Sequence, residues 1–417
     1  MNKKESLPLI KSKLQLFYIV FFLLIIFSLN TIYEYNKFLK FKNDEVFITN
    51  SKVINIYNKK QHKILKLKAN SFTFFTKTQS KQQLKINDKV NIFILTSKVS
   101  FLEYLKGFYT PSFNIEKIKN DKPTIKQYLI ENVNSQHSNQ TISSLFNALF
   151  FATPINKELR EICSTFGVSH LVAISGFHLG IISGILYFLL YIPYSTVQQK
   201  YFPYRNKKFD LLLIVSTILF SYLIFTDIVP SLLRAFMMYI FAIFLLRSNI
   251  KIVSFLTLAL IVLFIIAIFP KLLFSLSLWF SVAGVFYIFL FLQYFKNMNK
   301  ILAFFLFNIW IYLAINPITH YFFGTTSLVQ LYSPLFTIGF TIFYPVELFL
   351  HFIGFGGLLD SFIEIWLNLK TTSKEVFTPL WVLIGYIIIS LFSIPCPKWF
   401  RTLNLSLIAF NIWLYVY

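Results

Sequence analysis

Cysteine is nearly absent: Cys163 and Cys396 are the only two in 417 residues. They lie far apart, with neither metal-type spacing nor a disulfide framework. Charge is also scarce, at 13% of residues, where soluble proteins carry about 25%. No G-x-x-x-x-G-K-[ST] occurs, which excludes a P-loop motor in this chain. The six histidines, at 62, 137, 170, 178, 320 and 351, form no clustered metal-hydrolase motif, and no paired carboxylates mark a site. The chain therefore reads as a non-enzyme with no metal and no cofactor.

What it has is apolar sequence. Hydrophobic residues make up 56% of the chain, and several runs approach the ~20 residues that cross a bilayer. Lys3, Lys4, Lys11 and Lys13 precede an apolar run from Leu14 to Leu29 that has no small-residue cleavage site. It reads as an uncleaved first membrane helix with its N-terminus cytoplasmic. Further spans are expected at about 168–194, 209–226, 229–246, 253–269, 272–295, 301–316, 326–345, 376–395 and 402–417. The segment 346–367 reads either as another span or as an interfacial helix. Basic clusters at Lys200–Lys208, Arg247–Lys251 and Lys296–Lys300 fall in alternate loops, as the positive-inside rule requires.

Between the first helix and the rest lies a basic stretch. Residues 34–130 hold nineteen lysines against seven acidic residues, and no arginine. Short runs such as "KVINIYNKK", "HKILKLKAN" and "LKINDKVNIFIL" are rich in Ile and Val and separated by turn residues, which predicts strands. About five strands suit a small extracytoplasmic barrel of the OB type, a platform for single-stranded nucleic acid. Lys63, Lys66, Lys68 and Lys77 are candidate phosphate contacts, and Phe72, Phe74 and Phe75 either stack on bases or fill the core. The expected organisation is a cytoplasmic tail and first helix over 1–33, the OB-like domain over 34–120, amphipathic linker helices over 121–167, and a membrane channel domain over 168–417. The fold class is a polytopic α-helical membrane protein of about 9–11 spans with this β-domain inserted after the first.

The stretch "SHLVAISGFHLGIISGILYFLLY", Ser169 to Tyr191, is unusually polar for a span. On one helix at about 100° per residue, Gly176, Gly180 and Gly184 form a stripe that permits close helix packing. Ser175 and His178 lie almost opposite, with His170 at the edge of their sector. They face either a wet path or neighbouring carbonyls. A Ser–His protease is disfavoured, because nothing supplies an orienting third group. In "DIVPSLLRAFMMYIF", Pro230 suits a first helical turn, and Asp227, Ser231 and Arg234 would share a face. Arg234 either snorkels or lines a path for an anion.

"HLVAISGFHLGIISGILYFLL" resembles the signature helix of the ComEC family of competence proteins, and "VPSLLRAFMMYI" and "LLFSLSLWFSVAGVFYI" resemble two further motifs of that family. The resemblance points to His170, Ser175, Gly176, His178, Gly180 and Arg234 as motif positions, without assigning their chemistry. It implies an inner-membrane channel passing single-stranded DNA during natural transformation. The partners it implies are a cytoplasmic competence ATPase or helicase and a periplasmic DNA receptor; membrane lipid is expected from the apolar runs, and the sequence permits an oligomer. Longer members carry a metallo-β-lactamase-like domain whose His/Asp motifs this chain lacks, so it resembles the short form. Alternatives from the residues themselves are a transporter of small or lipid-linked anions and a non-transporting scaffold.

Overall fold

A computed structural model describes residues 12–58, 62–78, 84, 86, 88–118, 124–248, 254–369 and 371–416. Lys3, Lys4, Lys11 and Lys251, used above to orient the chain, lie outside these residues. The chain divides into two compact units.

The smaller unit covers residues 8–127 and 259–278. It starts with α1 (Lys13–Lys42), a long apolar helix opened by the Ser12 hydroxyl, which accepts from the Gln15 N–H. Strands β1 (Val46–Asn58), β2 (Lys63–Lys68), β3 (Thr73–Thr78) and β4 (Lys89–Leu95) follow, then the short helix α2 (Phe101–Lys106), then β5 (Phe108–Tyr109) and β6 (Ser112–Lys117). They form one six-stranded sheet in the order β5-β3-β2-β1-β4-β6. The 13-residue β1 changes partners along its length: 46–52 pair with β4 and 52–58 with β2. A bulge between Val53 and Asn55 accommodates the change.

One face of this sheet is apolar by alternation. Leu65, Leu67, Phe74, Val90, Ile92 and Ile94 are all at or below 1% exposure, and α1 contributes Phe38 and Phe41 to the same core. The end of the first helix is thus part of the sheet domain's interior, so cutting the domain after α1 would open its core. Lys271 ties this unit together: its ammonium donates to the Ser71 carbonyl, lies 2.8 Å from Glu34, and sits over the Tyr104 ring.

The larger unit is helical. Its elements are α3 (Ile125–Ser135), α4 (Gln140–Phe151), α5 (Lys157–Thr165), α6 (Ser169–Val172), α7 (Gly176–Tyr201), α8 (Lys207–Phe225) and α9 (Pro230–Arg247), while α10 (Phe255–Ile268), next along the chain, falls mostly in the smaller unit. There follow α11 (Leu276–Tyr294), α12 (Lys300–Phe322), β7 (Thr325–Thr326), α13 (Ser333–Phe352), α14 (Asp360–Leu367), β8 (Lys374–Glu375), α15 (Leu380–Phe392) and α16 (Pro397–Val416). Among the described residues seven helices are long and apolar enough to cross a membrane; α10 and α15 are shorter apolar helices. At 1.5 Å per residue each of these two is about 20 Å long, short of a ~30 Å hydrocarbon layer.

The helices expected near "TISSLFNALFF" and "KELREICSTFG" are present as α4 and α5, but α4 is no exposed linker. All but its first two residues and Ser144 are buried, at the centre of a core that also takes in α5, α6 and α13. Cys163 is buried in the same core, and its burial pushes the thiol up to about 12, which keeps it protonated and inert.

The ambiguous segment 346–367 is neither one span nor one interfacial helix. Helix α13 runs on to Phe352, Gly354 adopts a φ of +87°, and a 3-10 turn over Gly356–Leu359 leads into α14. A Cβ on Gly356 would lie 2.7 Å from both Gln136 and His351, so only glycine fits where the chain reverses.

Candidate functional site

The stretch 169–191 is not a single helix. Helix α6 stops at Val172, Ala173 to Ser175 run extended, and α7 starts at Gly176 with Ser175 as its N-cap. The Ser175 side chain accepts from the backbone of α7's first turn, and its own N–H donates to His178 Nδ1 at 3.3 Å. This is a capping box with histidine at the third helical position, where glutamate or glutamine is usual. Because a backbone N–H only donates, Nδ1 must accept, and the His178 proton resides on Nε2.

His178 is fully buried (0% exposed), with its ring edge-on to Phe340 at 5.4 Å and Tyr344 at 4.9 Å. It therefore does not stand on an open wall with Ser175, as one continuous helix implies. His170 is exposed on the separate α6, its Nε2 3.3 Å from the Thr337 hydroxyl of α13. The break is anchored from below: Gln330 donates to the Ser164 carbonyl at 2.9 Å and Ser333 to the Gly167 carbonyl at 2.9 Å. Gly167, at φ +68°, has the Gln330 side chain 3.3 Å from where its Cβ would be.

The glycine stripe also differs from its reading. A Cβ on Gly176 would meet that of Ala235 in α9 at 3.7 Å, an ordinary helix–helix contact. At Gly180 and Gly184 nothing lies within 4 Å, and both are exposed. Of the three glycines in the stripe, Gly176 alone has a neighbouring helix, α9, at packing distance.

Arg234 is buried (5% exposed) in the first half of α9, amid a core made by Ile174, Leu179, Leu232, Ala235 and Phe236. Pro230 sits in the first turn of α9 as expected. Asp227 is not on that helix. It is exposed in the turn from α8, at φ +62°, and is followed by Ile228 at φ +52°. A β-branched residue in the left-handed region costs on the order of 1 kcal/mol, so this is a strained turn. Asp227, Ser231 and Arg234 thus share no helical face; Ser231 is half-buried. Of the residues singled out in this region, Ser175, Gly176 and His178 meet at the start of α7, beside Ala235 of α9, whose neighbour along the chain is the buried Arg234.

In the sheet unit, Phe72 (6% exposed) and Phe74 (0%) belong to the core, which removes them as base-stacking groups. Strand parity sends Lys66, Lys68, Phe75 and Lys77 to the opposite face. Lys66 pairs with Phe75 across β2 and β3, its ammonium 5.6 Å from the ring centre. Lys63, at the start of β2, is exposed.

Sequence reading missed a buried row of ionisable groups. His137, in the turn between α3 and α4, has Nδ1 2.8 Å from Asp360 Oδ1 and Nε2 2.9 Å from His351 Nε2. His351 Nδ1 donates to the Glu347 carbonyl at 2.7 Å and lies 3.2 Å from the Glu347 carboxylate, which is fully buried. Glu347 and His351 at i and i+4 in an apolar run were the available signal; their partner 214 positions away was not. A second missed network joins α12 and α16, where Asn316 donates to Asn411 at 2.7 Å and Trp310 to Asn404 at 2.8 Å. Such bonds glue helices where water is absent. Among the described residues no group of three or more His, Cys, Asp or Glu is arranged to hold a metal.

Together these features define a multi-pass membrane protein with a small, basic sheet domain and polar side chains buried where two of its helices begin. A family model described as "Competence protein" matches residues 152–416, nearly two-thirds of the chain, and the chain belongs to that family. The match contains the helix break, Arg234 and the buried Glu347–His351 pair, while the sheet domain precedes it. No curated protein and no solved structure matches. Membership ties the chain to competence, the uptake of DNA from outside the cell.

Proposed function

We propose that this protein passes single-stranded DNA across the cytoplasmic membrane during natural transformation. The observation that carries the reading is the competence-family match over residues 152–416, which takes in six of the seven long apolar helices found among the described residues. The sheet domain supports it physically. Lys66, Lys68 and Lys77 flank the outward Phe75, an arrangement suited to phosphates and a stacked base without sequence readout. Its pairings support an OB-like barrel: β5 and β6, which end the strand order, are separated only by Thr110 and Pro111, and β3 pairs with β5 in parallel.

In this account the basic domain lies outside and gathers the strand, with an affinity that falls as salt rises. Ser175 and His178 hold α7 in place, and Arg234, buried in α9, fixes the helix pair or meets phosphate. Each phosphate moving into an inside-negative cell works against about 2.3 kcal/mol per charge per 100 mV. An ATP-driven cytoplasmic partner supplies that work, and a periplasmic DNA receptor delivers the duplex. A photo-crosslinking strand taken up by competent cells is expected to attach to this chain. Delivery of such a strand to the cytoplasm with no attachment would overturn the proposal.

A further inference from the structure

The row Asp360–His137–His351–Glu347 is an unusual thing to bury. His137 is 8% exposed, His351 7% and Glu347 0%. The four groups come from three places: the α3–α4 turn, the last turns of α13, and the start of α14. Gln136, beside His137, donates to the His351 carbonyl at 3.3 Å and accepts from the Gly356 N–H at 2.8 Å. The Phe146 ring stacks on His137 at 4.8 Å and 8°. The site is built from all sides, and only glycine fits at 356 beneath it.

Counting protons in the row gives a definite result. The Glu347 carbonyl only accepts, so His351 Nδ1 must carry a proton. The Nε2–Nε2 approach at 2.9 Å needs one proton between two ring nitrogens. The Asp360–His137 contact at 2.8 Å needs another. Three protons are therefore required, whereas two neutral imidazoles and one carboxylate supply only two. The geometry is complete only when the row holds one additional proton; without it, two lone pairs face each other at one of the two contacts.

We propose that Asp360, His137, His351 and Glu347 form a single proton-binding site, which on taking up one proton clamps the α3–α4 turn to the end of α13. The proton comes from water and no other bond is made or broken: it is shared along the row, its charge balanced by the carboxylates at either end. The titratable groups around it are these four and Glu364 of α14, whose carboxylate accepts from Asn139 at 3.4 Å. Helix α4 adds only aromatic faces, Phe146 and Phe150. Burial makes His137 a weaker base than an exposed histidine, and Asp360 offsets part of that loss. Loading therefore occurs on the acid side of the ordinary histidine range. This site stands independently of the DNA reading.

The test is a pH titration of the full chain in lipid nanodiscs, with its histidine rings isotopically labelled for magnetic resonance. His137 and His351 are expected to titrate together with one midpoint, and a strongly downfield N–H···N proton to appear at low pH. Asp360→Asn is expected to lower the His137 midpoint by about one pH unit, and His351→Gln to abolish the downfield proton. Should either variant fail to fold, the wild-type titration decides alone. Independent midpoints, or fixed neutral tautomers for both rings from pH 8 to 5, would overturn the proposal.

Discussion

The Ser175 hydroxyl lies 3.2 Å from His178 Nδ1, and the pair begins a helix. Each group satisfies backbone or side-chain partners in the first turn of α7, which leaves His178 buried against Phe340 and Tyr344. The signature "ISGFHLG" is thereby explained as a helix start placed next to α9: serine caps, glycine admits Ala235, and histidine closes the box. Losing an N-cap serine costs about 1 kcal/mol. Ser175→Ala is expected to lower the stability of the detergent-purified protein by about that amount, and Ser175→Asp to restore most of it. Equal losses in both variants would argue against a capping role.

The glycines of α7 separate by environment. Gly176→Leu drives a side chain into Ala235 and is expected to cost about 1–3 kcal/mol, read as a fall in folded protein or in thermal midpoint. Gly180→Leu meets open space in this chain and is expected to leave the folded level unchanged. A severe folding defect at Gly180 would show that another helix, absent from a single chain, covers that face.

Binding by the sheet domain has a quantitative signature. Each phosphate contact made by a lysine adds about 0.7 to the slope of log affinity against log salt for single strands. Replacing Lys66, Lys68 and Lys77 with alanine is expected to lower that slope by about 2 for single-stranded DNA on the full chain. Phe75→Ala is expected to weaken binding by about 1–3 kcal/mol with the slope intact. An unchanged slope in the triple variant would place the DNA elsewhere. A domain fragment must include Phe38 and Phe41 to keep its core.

The buried histidine row also sets a pH dependence. His137 binds its proton less readily in the fold than when unfolded, since desolvation outweighs Asp360. The unfolded chain therefore holds more protons just below about pH 6.5, and overall stability falls as pH drops through that window even as the loaded row joins the α3–α4 turn to α13, because the cost of desolvating the charge exceeds the gain from the completed contacts. It is level above. His137→Gln is expected to flatten this part of the curve, as measured by thermal unfolding from pH 8 to 5.

Legibility in the sequence followed periodicity. The apolar runs marked the seven helices long enough to cross a membrane, together with three runs (253–269, 376–395 and 402–417) that fold as helices outside that set, and the alternation around Leu65 and Leu67 marked a sheet with one wet face; both depend only on which residues neighbour each other along the chain. Three features depended on what lies opposite and were not legible. The break at 173–175 is flanked by packing distant in sequence, Ile174 with α8 and α9 and His178 against α13, with no proline or glycine run to announce it. Whether Gly180 packs depends on the path of α9. The His137–His351 contact joins positions 214 apart. Phe74 and Phe75, adjacent in sequence, differ in role because strand parity puts one in the core and the other outside.

Arg234 carries a charge into a buried place, and its geometry separates it from a surface cation. Arg234→Lys keeps the charge and loses the planar fork. It is expected to leave protein abundance near normal and reduce transformation at least tenfold. Full transformation in this variant would mean that only a positive charge is required there.

The central claim is tested most directly by following fluorescent double-stranded DNA in competent cells deleted for this gene, with the outer and cytoplasmic compartments scored separately. Delivery to the cytoplasm is expected to be lost while DNA accumulates outside the inner membrane. Normal cytoplasmic delivery in the deletion strain would contradict a DNA channel.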